Sequence, residues 1–418
     1  MKKFLIPLAV GAVALSTFAD EPTATLTSFV QDAASRRVTI EYTLENGPAV
    51  VTLELMTNGV PIPASGFVCP TTDSLKVPVN AKVGSGSYKI YWQADRDAPG
   101  FAAAAGKFSV RLQTWKLDNP PLYMGIDLTT KSNVTYYASR ESVEGGEQAL
   151  RWKTDWMLFR RVPAKGAEWL MSAGGNNTRE SGTKHYVKFS HDYYAAIYET
   201  SQKQFANILA NTGVSGITIG TSGYVGEDKD LHPAEGMSIA ALRGMVADDI
   251  DWPNTGHVVR NPPKSILGCL RDFSGVDVDL PTEAEWEYAC RAGTATKFCC
   301  GNTFDNAYGW TTANCTSTMV IGTTTPNAWG LYDFHGNVYE PCLDWPSPDY
   351  AEEDDNVDPE GPKGACTETG YTGERRCLRG GAWNGGPGIT ASYYRGHVLS
   401  ANGQKNQGVR FFAPAEVK

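Results

Sequence analysis

The feature that most constrains this chain is a change of rhythm. From about Glu21 to Trp115, polar and apolar residues alternate in short runs. Arg37-Val38-Thr39-Ile40-Glu41-Tyr42, Val50-Val51-Thr52-Leu53-Glu54-Leu55 and Tyr88-Lys89-Ile90-Tyr91-Trp92 are the clearest. A period of two with β-branched and aromatic residues predicts half-buried strands. Turn signals separate them at Glu45-Asn46-Gly47-Pro48, Asn58-Gly59 and Gly84-Ser85-Gly86. Several short strands of this kind predict a β-sandwich of immunoglobulin or fibronectin type over 20–116.

Beyond Asp118-Asn119-Pro120-Pro121 the rhythm stops. A connector over 117–152 carries one apolar, strand-like piece from Leu122 to Leu128. The rest, 153–418, is rich in Gly, Trp, Asn and Asp and holds few long periodic stretches. Two helices are predicted. Tyr193 to Leu209 has apolar residues at helical spacing. Thr282 to Arg291 opens on a capping signature, with Thr282 followed three residues later by Glu285. A domain with so little regular pattern must be held by turns and buried polar networks, with ions or disulfides in support. The expected class is α+β.

The 418 residues carry 37 Lys and Arg against 46 Asp and Glu, a formal charge of −9. That balance argues against non-specific nucleic-acid binding, which requires a basic patch. Lys2 and Lys3, an apolar run from Phe4 to Leu15, and Thr17-Phe18-Ala19 before Asp20 form the pattern of a signal peptide over 1–19. The competing reading is a short membrane anchor, but the run falls short of the ~20 residues a span needs. The expectation is a secreted, periplasmic or cell-surface protein without a transmembrane segment. Eight of the nine cysteines lie between Cys269 and Cys377, with Cys69 apart. In an oxidising compartment such clustering predicts disulfides of undetermined pairing, with at least one thiol unpaired or paired between chains.

Five segments then fall in a recognisable order. They are Tyr193 to Ser201, His232-Pro233-Ala234-Glu235-Gly236-Met237-Ser238, Leu280 to Gly293 (LPTEAEWEYACRAG), Pro326 to Glu340 (PNAWGLYDFHGNVYE), and Arg379-Gly380-Gly381-Ala382-Trp383-Asn384, closed by Gly408-Val409-Arg410-Phe411. Together they resemble the formylglycine-generating-enzyme, or sulfatase-modifying factor, domain. The resemblance spans about Asp155 to Phe412 and implies a modified C-type-lectin-like fold.

It also implies a chemistry that these residues do not carry. The family's oxidases hold copper on two thiolates just after the Gly-Gly-Ser-Trp motif, and soft thiolates suit Cu(I). Here Gly385 stands at the first of those positions, and no cysteine follows Cys377. The family partner of Cys290 would fall at Phe411, so that pairing is lost. A second branch binds non-heme iron through clustered histidines. His185, His191, His232, His257, His335 and His397 form no such cluster in sequence. No Cu or Fe site is therefore expected.

Two sites remain. The resemblance implies a structural Ca²⁺ on the turn of the fourth motif, with side-chain oxygens of Asp333 and Glu340 and carbonyls of Gly336 and Val338; hard oxygen ligands suit that ion. The alternative is that Asp333, Asn337 and Glu340 satisfy backbone amides of a loop-rich core. The second is a binding face on the C-terminal loops: Trp383, Asn384, Tyr393, Tyr394, Arg395 and His397. Such side chains make adaptable contacts to a protein, peptide or glycan. The acidic run from Asp349 to Glu360 is expected to be a solvated loop. The predicted function is non-catalytic recognition, against two rivals: an oxidoreductase of the same superfamily acting on a sulfur-containing substrate, and a cell-surface spacer.

Overall fold

The computed structural model describes residues 20–418 except 33, 63–66, 69–77, 95–107, 177–181, 216–222, 245–264, 348–355 and 363–373. The expected export signal, Cys69, Cys366, His257 and much of the acidic run lie outside the described residues.

The alternating half forms β1 (Thr23–Gln31), β2 (Arg37–Glu45), β3 (Ala49–Thr57), β4 (Val60–Ile62), β5 (Phe67–Val68), β6 (Ala81–Val83), β7 (Gly86–Gln93) and β8 (Phe108–Trp115). One sheet has the order β1-β2-β7-β5; in the other β3 pairs with β4, β6 and β8. Every second residue of β2 points inward, so Val38, Ile40, Tyr42 and Leu44 are at most 2% exposed. They share one core with Leu53 and Leu55 of the opposite sheet and with Ile90 and Trp92. β3 is buried on both faces, which explains its denser apolar run. Its second face meets the rest of the chain: Val50 joins the next core, and Glu54 accepts the Ser139 hydroxyl at 2.6 Å.

Past β8 come β9 (Tyr123–Asp127), β10 (Val134–Tyr137), β11 (Trp156–Val162), β12 (Glu168–Met171), β13 (His185–Lys188) and β14 (Tyr193–Ala196). Short pieces follow: β15 (Gly309–Trp310), β16 (His335–Gly336), β17 (Glu340–Pro341), β18 (Arg375–Arg379), β19 (Gly396–Leu399) and β20 (Phe412–Pro414). The central sheet has the order β10-β9-β11-β14-β20. The segment predicted to be a connector therefore supplies two strands of this sheet.

The helix predicted from Tyr193 is half right. Tyr193–Ala196 is strand β14, and helix α1 (Gln202–Asn211) starts only at Ser201. Tyr193 and Tyr194 face opposite sides of the sheet and enter two separate cores. A strand buried on both faces has no alternation, so its apolar run mimics helical spacing. The capping box at Ser201, whose hydroxyl accepts the Gln204 N–H at 3.0 Å, marks the true start. Two further helices, α2 (Ile239–Arg243) and α3 (Ile266–Ser274), have no counterpart in the sequence-based expectation. α4 (Glu283–Arg291) starts where expected, with Thr282 and Glu285 exchanging capping hydrogen bonds of 3.1 and 2.9 Å.

The Glu285 carboxyl is half-buried beside Asp344 and Asp279, and burial pushes its pKa up to about 7. Between the ordinary value of 4.5 and that value the folded state binds more protons than the unfolded one. Stability from this group therefore falls as pH rises through that window. Glu285→Gln keeps the cap and removes the titration. At pH 8 it should be more stable than the wild type by an amount on the order of 1 kcal/mol, read as a higher melting temperature, and the gap should close at pH 4.5. A gap that is unchanged across that range excludes Glu285 as its source.

Polar networks hold what helices do not. Arg243, Arg291, Arg376, Arg379 and Arg410 are all at most 2% exposed. Glu283 and Glu287, both fully buried, bind Arg379 at 2.9 and 2.7 Å. Glu287 also holds Arg291. The alternate carboxylates of α4 are thus the anionic half of the core, and Trp286 packs inward between them.

Candidate recognition face and the turn beneath it

The turn of the fourth motif is wound tightly, with positive φ at Asp333, Gly336 and Asn337. Gly336 has no alternative, because a Cβ there would lie 2.0 Å from the Trp310 carbonyl oxygen. Asp333 is 2% exposed; its carboxylate accepts the Gly322 N–H at 2.5 Å and the Thr324 hydroxyl at 2.8 Å. Asn337 donates to Glu199 at 2.6 Å and accepts the Met319 N–H at 2.8 Å. Glu340 accepts the Trp286 indole at 2.6 Å and the Arg410 fork at 2.8–3.0 Å. Glu199, fully buried beside Asp333 and Glu340, has its pKa raised by burial.

This arrangement does not fit the expected Ca²⁺. Four donor contacts occupy the two Glu340 oxygens, leaving no lone pair directed at a cation. A buried guanidinium already supplies the positive charge. The N–H groups of Gly336 and Val338 go to the Gly380 carbonyl and to Glu199. The oxygens serve the loop core instead.

Above the turn, the Trp383 N–H donates to the Asn337 carbonyl at 2.9 Å and its ring is half-buried. Asn384 is exposed and accepts from Asn406 at 3.0 Å. Tyr393 and Tyr394 are half-buried, as is His397, whose pKa is lowered by burial and by Arg375. Arg395 is placed elsewhere. It is 7% exposed, forked onto Glu283, and donates to the Ser347 carbonyl at 3.0 Å. It holds the loop rather than facing solvent.

One group beside this face escaped the sequence reading. Glu235, 2% exposed, accepts the Gly223 N–H at 3.1 Å and faces the Trp383 indole; burial pushes its pKa up to about 6. Its neighbour His232 stacks on Tyr224 with centroids 3.6 Å apart. The only signal was its place in the second motif, where a single Glu gives no hint of burial.

The position of the missing thiol lies against the end of a flexible side chain. The Gly385 carbonyl accepts the Thr312 N–H at 3.0 Å, and a Cβ on Gly385 would lie 2.0 Å from Cδ1 of Ile389. Cys377 is buried in β18. The thiol that does approach is Cys315, whose Sγ lies 3.9 Å from the Trp383 carbonyl. Cys290 lies 3.4 Å from the Ser392 hydroxyl. The seven described cysteines are all free thiols, so none shows the expected disulfides.

This fold and these motifs define a class. Residues 143–414 match the model of the sulfatase-modifying factor enzyme 1-like domain. The chain belongs to that family. It is 42% identical over 106 residues to serine/threonine-protein kinase pkn1 of Chlamydia pneumoniae, covering 25% of this chain and 16% of that protein. It is 39% identical over 122 residues to the formylglycine-generating enzyme of Streptomyces coelicolor, covering 25% of this chain and 35% of that protein. The chain thus spans well under two thirds of the length of either relative. Among solved structures, PvdO from Pseudomonas aeruginosa is similar, with a TM-score of 0.47, 21% identity, and coverage of 62% of this chain and 94% of that one.

Proposed function

We propose that this is an exported, non-catalytic recognition protein that binds a protein, peptide or glycan through the loops bearing Trp383, Asn384, Tyr393, Tyr394 and His397. One observation carries the reading: Gly385 stands where the family's first thiolate would be, in a loop tied by its carbonyl to the Thr312 N–H, and no cysteine follows Cys377. The segment that bears reactive thiols in the family's oxidases is here a packed loop presenting aromatic and amide groups. An immunoglobulin- or fibronectin-like sandwich at the N-terminus and a lectin-like C-terminal fold suit such a role, the first as a spacer and the second as the reader. Among the described residues no helix is long and apolar enough to cross a membrane.

Labelled protein of residues 20–418 on glycan and peptide arrays tests this. Trp383→Ala should weaken the bound probe at least about tenfold, as central aromatic anchors do, with the melting temperature little changed. Equal binding by wild type and variant overturns the face. Binding to no probe favours the spacer.

A further inference from the structure

Cys342 and Cys377 belong to no site described so far. β17 and β18 run antiparallel, with Glu340 opposite Arg379 and Pro341 opposite Leu378. One step further, the Cys342 N–H donates to the Cys377 carbonyl at 2.9 Å, while the Cys377 N–H goes to the Asp344 carbonyl at 3.0 Å, so the register shifts but the two cysteines stay bonded neighbours across the strands. Both side chains enter the same apolar cluster and are at most 1% exposed. A disulfide needs Cα atoms ~4.4–6.8 Å apart, a separation that residues bonded across an antiparallel pair approach.

We propose that Cys342 and Cys377 are a disulfide site, closed by exchange with a small-molecule or protein disulfide and pinning β17 to β18. One cysteine thiolate attacks the donor disulfide and releases a donor thiol. The second then displaces the remaining donor thiol from the mixed disulfide. The two cysteines lose two electrons and two protons, and the donor becomes two thiols. The bond closes the loop between the two strands, which contains Cys366, and fixes the strand leading into Arg379-Gly380-Gly381 and the proposed recognition loops. Burial, with Glu283 and Asp344 alongside, raises both thiol pKa values, so neither is a thiolate in the folded protein. Exchange therefore happens while the chain folds.

The test uses purified protein and is independent of the recognition reading. Reduced, unfolded chain is refolded in a mixed glutathione buffer, alkylated and mapped by peptide mass spectrometry. Cys342 and Cys377 should be linked to each other. The folding equilibrium should exceed that of the reduced protein by on the order of 10²- to 10³-fold, from loop closure. A Cys342→Ala/Cys377→Val double variant, which keeps the site apolar, should show no shift between oxidising and reducing buffer. Alkylation of both residues after refolding, or linkage of either one to Cys366 or Cys290, overturns the proposal. Linkage on already folded, reduced protein as fast as on refolding overturns the buried-thiol step.

Discussion

Arg410→Met is expected to destabilise the C-terminal domain by about 3–5 kcal/mol at pH 7.5, the cost of leaving buried charge without its partner. Arg410 is fully buried and forks onto Glu340. It also donates to the carbonyls of Ala196 at 3.0 Å and Tyr332 at 2.8 Å, so it ties β14, the fourth-motif turn and the last strand together. Its charge lowers the pKa of Glu199 and of Asp333, against burial, which raises both. Without it the buried carboxyl groups of Glu199, Asp333 and Glu340 share a site beside Lys153. At roughly 2–4 °C per kcal/mol for a domain of this size, thermal unfolding should move down by about 10 °C. The deficit should shrink toward pH 5, because protonation of carboxyl groups with raised pKa values removes the uncompensated charge. Adding Glu340→Gln to the variant should recover part of the loss. A variant as stable as the wild type means that something else neutralises this cluster, and rescue by added Ca²⁺ would identify it as the cation the family resemblance implies.

No conversion of cysteine to formylglycine is expected in a sulfatase-type peptide, with or without Cu(I). The oxidation needs two thiolates on one soft metal beside the substrate. Gly385 supplies none, and no cysteine follows Cys377. Cys315 reaches the same loop, but burial raises its thiol pKa, and it lies against the carbonyls of Thr311 and Trp383 at 3.2 and 3.9 Å. The thiols of Cys342 and Cys377 are sealed in the core. Peptide mass spectrometry reads the outcome directly as loss of thiol and gain of aldehyde. Gly385→Cys alone should stay inactive, since a single new thiol still lacks the second thiolate. Copper-dependent turnover that disappears on Cys315→Ser would make this chain a rewired oxidase.

The residues that chemistry fixes locally were legible in the chain. Alternation gave β2 and β7 because one face of each is buried and a period of two admits little else. Thr282 and Glu285 announced α4 because a capping box satisfies backbone donors within four residues. Gly385 announced a lost thiol because identity alone excludes the chemistry. Other features depended on partners distant in sequence. Tyr193 and Tyr194 form a strand only because two cores meet at β14. Leu122 to Leu128 belongs to the central sheet only because β11 lies beside it. Arg395 looked like a binding residue until Glu283, over a hundred positions earlier, claimed its guanidinium. Glu340 was expected to face a cation, and the positive group its oxygens meet is Arg410, from the far end of the chain. A carboxylate's oxygens are the same in sequence whether they meet a metal or a guanidinium, and only the tertiary structure supplies the partner that decides between them.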